Sequence, residues 1–266
     1  TTPLLEKTRK KISMFTNVTV SDVFSCHDAK SIFMVPQMLY EQGLVDVIFK
    51  KFAKVGYTNT SKNWDNWNAI VSSLQKTDDT IKIAMIGKYV TLADSYVSVN
   101  EALKHASASI GRSVNIDWID SETFNGNLKH LDDFDGVLVP GGFGTRGSEG
   151  IIDTAIYALE KNIPYLGICF GFQLAAVAFG RKMCNLENAN STEIVADTKN
   201  PIIDLLPEQK DETDMGGSLR LGANEIMINQ DSLAHKIYSS DKIFKRHRHR
   251  YEFNTEYRDD FLKKGM

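Results

Sequence analysis

The chain has 266 residues, of which 42% are hydrophobic and 24% are charged, so it can hold one large or two smaller globular domains. A net charge of -3 gives no general reason to expect nucleic acid or an anionic membrane as the partner. No apolar run is long enough to span a membrane, and the basic N-terminal stretch lacks the apolar segment of a signal peptide. The three cysteines show no spacing typical of a metal site or a disulfide framework, and free thiols indicate the reducing cytoplasm.

The first 80 residues do not form a complete domain pattern. Residues 28–44 carry apolar side chains at near-helical spacing, and Trp64 and Trp67 begin a second helical pattern that must pack on another element. The polar stretch 77–80 is the predicted boundary. We therefore expect an N-terminal piece over residues 1–56, a linker with a helix over 57–80, and a main domain over 81–266.

From Ile81 onward, predicted strands alternate with predicted helices. The expected strands are 81–86, 114–119, 136–139 and 163–168, and helices are expected before the second strand and over 149–161 and 172–181. This alternation is typical of βαβ units with right-handed crossovers, and it predicts an α/β fold with a doubly wound, mostly parallel sheet. Beyond Asn188, short alternating runs predict antiparallel additions to that sheet, and the polar stretch 208–217 predicts a mobile surface loop.

Cys169 stands at the centre of the strongest motif. An apolar run up to Ile168 leads into the sequence Gly-x-Cys-x-Gly at residues 167–171, and a helical pattern follows. This is the nucleophile-elbow pattern with cysteine in place of serine, in which flanking glycines let strand and helix approach closely. Such a turn exposes the sulfur and directs the helix N-terminus at it, which favours the thiolate. The alternative, a buried structural cysteine, fits the paired glycines less well.

A second glycine-rich loop, at residues 141–147, follows the third predicted strand. Its Gly142, Gly144 and Gly147 make a literal G-x-G-x-x-G, which permits a dinucleotide site, but no acidic residue ends a strand at the required distance. The competing interpretation is an oxyanion loop, in which the N–H groups of Gly142 and Phe170 face a carbonyl held over Cys169. A purely structural turn is the third possibility. Because both glycine loops follow strands of one parallel sheet, we expect them to converge.

The run Arg-His-Arg-His-Arg-Tyr-Glu at residues 246–252 is the other conspicuous feature. Its simplest interpretation is a solvated charged surface, and nucleic-acid binding would need more basic surface elsewhere. If the run is extended, the three arginines share one side and the two histidines the other. An arginine fork on that side suits the carboxylate of an amino-acid substrate.

Taken together, the motifs resemble the glutamine-hydrolysing domain of CTP synthases, which are class I (triad-type) glutamine amidotransferases. The Gly-x-Cys-x-Gly elbow is shared by the whole superfamily, whereas three longer stretches are much more specific to CTP synthase. These are Asn-Ser-Thr-Glu at 190–193, Gly-Gly-Ser-Leu-Arg-Leu-Gly at 216–222, and the basic run at 246–252. The resemblance covers nearly the whole chain and implies that residues 1 to about 54 are the end of an ATP-dependent synthetase domain.

The resemblance also implies roles for single residues. Cys169 is the implied nucleophile, and Gly142 and Phe170 supply the implied oxyanion donors. The implied glutamine-binding residues are Gly142, Phe170, Gly171, Phe172, Gln173, Glu193 for the α-amino group and Arg250 for the α-carboxylate. In the N-terminal piece, the implied nucleotide-binding residues are Lys11 for UTP or CTP and His27, Asp28 and Ala29 for the adenine of ATP.

The implied reaction is thiolate attack on the glutamine amide, release of ammonia and hydrolysis of a glutamyl thioester. Ammonia passes to a synthetase site, where ATP phosphorylates UTP before amination to CTP. The resemblance implies ATP and Mg²⁺ as substrate and metal of that synthetase domain, GTP as activator, and a homotetramer. It implies no cofactor or metal within this segment, and no nucleic-acid or membrane partner.

One departure from the family pattern leaves alternatives open. The family completes its triad with a His-Pro-Glu motif, and no histidine follows His249 in these 266 residues. We therefore expect this segment alone to lose most of the acid–base contribution, on the order of 10²–10⁴-fold. A different elbow-cysteine γ-glutamyl hydrolase and a catalytically dead, amidotransferase-like assembly or regulatory domain are the alternatives.

Overall fold

The computed structural model describes residues 2–52, 62–74, 79–90, 92–123, 127–205 and 220–266. The described residues group into two compact units. The first contains residues up to 80 together with 101–114, and the second contains 81–100 together with 115–266. Within the described ranges, no helix is both long and apolar enough to cross a membrane.

The first unit is helical. It contains α1 (Glu6–Thr16), α2 (Val35–Glu41), α3 (Leu44–Lys51), α4 (Lys62–Leu74) and the larger part of α5 (Val97–Ile110). The helical pattern expected over 28–44 gives only a short 3-10 helix and α2, because Pro36 is tolerated only in the first turn of a helix and α2 therefore begins at Val35. Gly43, in a left-handed conformation (φ 84°), separates α2 from α3. The pattern at Trp64 and Trp67 is confirmed as α4, and the Trp67 indole donates a 2.7 Å hydrogen bond to the Phe33 carbonyl.

The central sheet contains the four predicted strands. They are β1 (Thr80–Gly87), β2 (Ser113–Asp120), β3 (Gly136–Val139) and β4 (Tyr165–Gly167), in the order β2-β1-β3-β4. The pairs β1–β3 and β3–β4 are parallel. Helix α5 (Val97–Ile110) connects β1 to β2, and α6 (Ser148–Lys161) connects β3 to β4. The predicted α/β fold with a parallel sheet is therefore confirmed.

Helices α6 and α7 (Phe170–Lys182) form the core with β3 and β4. Phe170, Leu174 and Val177 on α7 and Ile151 and Ile152 on α6 are at most 1% exposed. This burial holds α7 directly behind the carboxyl ends of the strands. The turn between β4 and α7 is thereby fixed in space.

The C-terminal strands pair with one another, as the alternating pattern predicted, but they do not extend the central sheet among the described residues. Strands β5 (Asn190–Ser191), β6 (Pro201–Leu205) and β9 (Tyr251–Phe253) form one small sheet, in which β6 and β9 are antiparallel. Strands β7 (Arg220–Met227) and β8 (Lys242–His249) form an antiparallel ribbon, with α8 (Leu233–Tyr238) between them. The expectation of additions to the main sheet is thus corrected, since alternation specifies a half-buried strand without specifying its partner. Helix α9 (Arg258–Lys263) follows β9, and the predicted loop at 208–217 lies outside the described residues.

Candidate active site

Cys169 occupies a sharp turn between β4 and α7, as the elbow pattern predicted. Its backbone has φ 54° and ψ -106°, a region that L-residues rarely adopt. Holding such a conformation costs roughly 1–3 kcal/mol and requires support from the surrounding fold. The residue is exposed, so the turn presents the thiol at the surface of the second unit.

The flanking glycines make this turn possible. A Cβ on Gly167 would lie 2.5 Å from the Gly171 carbonyl carbon and 2.5 Å from the Phe172 nitrogen, and a Cβ on Gly171 would clash with the main chain of Val139. The Ile168 N–H also donates a 2.9 Å hydrogen bond to the Val139 carbonyl. Strand β3, strand β4 and the start of α7 therefore meet backbone to backbone around Cys169.

The two glycine loops converge, as predicted. A Cβ on Gly141 would lie 3.7 Å from the Cys169 Cβ, and a Cβ on Gly142 would lie 3.4 Å from the Phe170 ring. Gly144 has a positive φ of 76°, which glycine adopts without strain. Helix α6 begins at Ser148, after the last glycine of the G-x-G-x-x-G run. In a dinucleotide-binding site the helix begins within the motif, so the loop at 141–147 does not have that arrangement. The loop thus lies where an oxyanion loop is needed.

The pKa of the Cys169 thiol is raised, which overturns the expectation that the turn alone favours the thiolate. Although the residue as a whole is exposed, partial desolvation of the sulfur by the surrounding atoms is the main cause, and the nearby Glu193 carboxylate adds to it. The Phe170 N–H, which hydrogen-bonds to the sulfur, acts in the opposite direction. Desolvation therefore outweighs the hydrogen bond from the Phe170 N–H in this site, and the thiol needs a proton acceptor before it can react.

Glu193 lies beside both the thiol and the glycine loop. Its Oε1 accepts a 2.7 Å hydrogen bond from the Gly144 N–H. Its own main-chain N–H donates to the Ser191 hydroxyl at 3.2 Å, which anchors the turn after β5. The sequence placed Glu193 and Gly144 49 residues apart, and only the tertiary structure joins them.

A cleft of about 540 Å³ opens beside Cys169 in the second unit. The predicted pocket residue Phe172 is 44% exposed and lines this cleft, and Gln173 also lines it although it is only 6% exposed. The Gln173 Nε2 donates a 2.7 Å hydrogen bond to the Tyr251 carbonyl, which ties α7 to β9. The other lining residues are Ile168, Arg220, Arg246, His247, Arg248, His249, Tyr251, Glu252, Phe253 and Thr255.

The basic run forms one wall of this cleft. Alternation holds along β8, where His247 and His249 are half-buried with ring centroids 5.1 Å apart, and Arg246 and Arg248 are exposed. Arg250 leaves this alternation because it occupies the bend between β8 and β9, where it is half-buried. The three arginines therefore do not share one side of a continuous strand.

A charged pair that sequence reasoning missed lies next to the histidines. The Arg220 Nη1 is 2.8 Å from both carboxylate oxygens of Glu252, and the His249 Nδ1 is 3.6 Å from the Glu252 Oε1. Burial lowers the pKa of His249, although the Glu252 carboxylate opposes this effect. His249 is therefore a neutral imidazole at pH 7. Arg220 and Glu252 each lie in one of the conspicuous sequence motifs, but a pairing across 32 residues leaves no local signal.

The predicted nucleotide-binding residues lie in the first unit. Lys11 is exposed on α1. His27, Asp28 and Ala29 lie in an irregular segment, and the His27 Nδ1 is 3.3 Å from the Ser25 hydroxyl. Within the described ranges, no group of three or more histidine, cysteine or acidic residues could hold a metal ion.

Comparison with known families gives two matches. Residues 91–266 match the family model of the class I glutamine amidotransferases, and residues 1–54 match that of the CTP synthase N-terminus. The chain is 44% identical over 265 residues to a CTP synthase of Pyrococcus abyssi and 45% identical over 260 residues to one of Staphylococcus haemolyticus. These alignments cover 99% and 97% of this chain but only 49% and 48% of the relatives. The chain therefore spans about half the length of the curated relatives it matches.

A solved structure agrees with these matches. The glutaminase domain of the Trypanosoma brucei CTP synthase, solved with bound acivicin, superposes with a TM-score of 0.64 at 35% identity. The superposition covers 70% of this chain and 72% of that one. With the elbow, the converging glycine loop and the parallel sheet all present, the chain belongs to the class I glutamine amidotransferase family, and its amidotransferase part is of the CTP synthase type.

Proposed function

We propose that this chain is the glutamine-hydrolysing part of a CTP synthase, which supplies ammonia for the ATP-dependent amination of UTP to CTP. The observation that carries the proposal is the strained turn at Cys169, with the Phe170 N–H at its sulfur and the glycine loop against it. The 35% identity to a CTP synthase glutaminase domain supports the same function.

The chemistry begins at the Cys169 sulfur. The thiol gives its proton to a base, and the sulfur attacks the side-chain amide carbon of glutamine. The N–H groups of Gly142 and Phe170 stabilise the oxyanion that forms, a contribution worth about 10²–10³-fold per donor. The C–N bond then breaks, the nitrogen takes up the proton and leaves as ammonia, and water hydrolyses the thioester to glutamate and free thiol. In the family the base is the histidine of a His-Pro-Glu motif, which does not occur in these 266 residues.

Substrate binding also counteracts the effect that raises the pKa of the Cys169 thiol. We assign Glu193 to the α-amino group, Arg250 to the α-carboxylate, and Gly171, Phe172 and Gln173 to the pocket wall. The Glu193 carboxylate raises the pKa of Cys169. An ammonium group paired with Glu193 offsets that negative charge and so favours the thiolate when glutamine is bound. Glutamine thereby helps to activate its own nucleophile.

The remaining assignments concern the whole protein. We assign residues 1–56 to the end of the synthetase domain, 57–80 to the linker and 81–266 to the amidotransferase domain; the match of residues 1–54 to the CTP synthase N-terminus supports this division. Lys11, His27, Asp28 and Ala29 then belong to the UTP and ATP sites. The proposal also includes Mg²⁺ with ATP at the synthetase site and GTP as the activator of the enzyme. It further includes a homotetramer and a cytoplasmic location.

Substitution of the nucleophile tests this function. In the intact protein, Cys169→Ala should abolish glutamine-dependent CTP formation and leave formation from free ammonia unchanged, because ammonia bypasses the thiol. Cys184→Ala is the matched control, since Cys184 is a half-buried cysteine that lies outside the cleft lining. Loss of both activities in a folded Cys169→Ala protein contradicts the assignment. Inertness of Cys169 toward a glutamine-analogue electrophile favours a regulatory, catalytically dead domain instead.

A further inference from the structure

Lys88 is a buried lysine immediately beyond β1. It is only 6% exposed, although it belongs to one of the residue types least often buried. Its Nζ donates hydrogen bonds to the carbonyls of Phe143 and Gly144, at 2.8 and 2.6 Å. The same Nζ lies 4.3 Å from the centroid of the Phe170 ring. One ammonium group thus contacts the glycine loop and the residue that follows Cys169.

The hydrogen bonds of Lys88 and Glu193 meet on a single peptide unit. The Phe143 carbonyl and the Gly144 N–H belong to the same peptide group, and they point in opposite directions because the bond is trans. Lys88 holds the carbonyl end, and Glu193 holds the N–H end at 2.7 Å. A rotation of this peptide therefore breaks two charge-assisted hydrogen bonds at once. Gly144 has a positive φ, and glycine restricts rotation of the backbone less than any other residue type. The loop therefore needs these two hydrogen bonds to keep the peptide in one orientation.

The charges around Lys88 come from several elements. Glu193 after β5 and Glu122 after β2 stabilise its positive charge, and Arg146 before α6 opposes it. Arg146 is itself fixed, because its Nη2 donates to the Lys88 carbonyl at 3.0 Å and its Nη1 pairs with Glu122 at 2.9 Å. Tyr96, which packs nearby, is uncharged because burial raises its pKa. The lysine is thus held by its main chain as well as by its ammonium group.

We propose that Lys88 is a positioning residue for the amidotransferase reaction, whose ammonium group fixes the Phe143–Gly144 peptide so that the Gly142 N–H, two peptide groups earlier in the same loop, stays directed toward the oxyanion site. The inference rests on the proposed glutamine hydrolysis at Cys169. Lys88 touches neither the sulfur nor the substrate in this account. It acts through the loop, and its loss should lower the rate of the chemical step more than it weakens glutamine binding.

The charge state of Lys88 gives this role a pH signature. Burial lowers the pKa of Lys88 to about 8. Above that pH the amine is neutral, and its hydrogen bonds to the two carbonyls lose their charge assistance. The rate of glutamine hydrolysis should therefore show a loss above pH about 8 that follows the deprotonation of Lys88.

The test compares Lys88→Met, Lys88→Arg and the control Lys82→Met, which alters an exposed lysine on β1, the strand that precedes Lys88. For Lys88→Met we expect kcat for glutamine to fall about 10²-fold with KM changed less than about threefold. Hydrogen exchange of the Gly144 amide should become about tenfold faster or more. Alkylation of Cys169 by iodoacetamide should change less than about twofold, because displacement at a saturated carbon forms no oxyanion. Lys88→Arg should keep the charge and remove the alkaline fall.

The outcomes separate this inference from the proposed function. An unchanged Gly144 exchange rate in Lys88→Met, or a kcat equal to that of Lys82→Met, overturns the positioning role. If the intact protein hydrolyses no glutamine but Gly144 exchange still depends on Lys88, the loop support stands and the proposed function fails. Should Lys88→Met not fold, the pH profile of Lys88→Arg decides, and an alkaline fall identical to that of the unmodified protein refutes the inference.

Discussion

Gly167 is the position at which one added methyl group should disrupt the site most directly. A Cβ there would lie 2.5 Å from the Gly171 carbonyl carbon and 2.6 Å from the Gly171 oxygen. Non-bonded heavy atoms prefer separations of about 3.5 Å or more, so Gly167→Ala must move β4 and α7 apart by roughly 1 Å. The obstructing atoms belong to the main chain of α7, whose first turn is held by the buried Phe170 and Gln173, and no side-chain rotation can relieve the clash.

Overpacking of this kind costs about 1–3 kcal/mol, which corresponds to a fall in Tm of roughly 2–12 °C for a domain of this size. The displacement also moves Cys169 relative to Gly142, and a 1 Å misplacement costs on the order of 10²-fold in rate. Differential scanning calorimetry and glutaminase assays of the intact protein measure the two effects. Gly136→Ala is the matched control, because its Cβ would meet neighbours no closer than 3.4 Å on the same sheet. A Gly167→Ala protein as stable and active as Gly136→Ala would refute the close-approach argument.

Two further predictions concern ionisation in the cleft. Glu193→Gln should lower the pKa of Cys169, because the substitution removes a negative charge that raises this pKa and retains an acceptor for the Gly144 N–H. The pH dependence of Cys169 alkylation by iodoacetamide measures the change. An unchanged or higher midpoint contradicts the prediction. Arg220→Ala should raise the pKa of His249, because the charge of Arg220 disfavours the imidazolium, and Glu252→Gln should lower that pKa, because the Glu252 carboxylate favours the imidazolium. NMR titration of the His249 ring measures both shifts. Shifts of the same sign for the two variants would show that this account of the cleft charges is wrong.

The sequence by itself determined the local geometry of this protein. Alternating strand and helix patterns located β1 to β4 to within two residues at each end, because periodicity reports the backbone conformation that each segment adopts. The glycines at 167 and 171 predicted the turn at Cys169, since only residues without a Cβ allow that approach of strand and helix. The parallel order of the strands then predicted that the two glycine loops would meet at one edge.

Only the tertiary structure decided which distant groups meet there. Lys88 and the glycine loop are 55 residues apart, and Glu193 is 49 residues from Gly144, so no local pattern could pair them. The pKa of Cys169 is raised rather than lowered because burial depends on the packed surroundings, whereas the sequence showed only the helix that follows. The C-terminal strands form separate sheets. The sequence could not predict this, because an alternating pattern specifies which face of a strand is buried but not which strand it pairs with. Local sequence thus places the nucleophile, while long-range packing sets the charges and contacts that determine its reactivity.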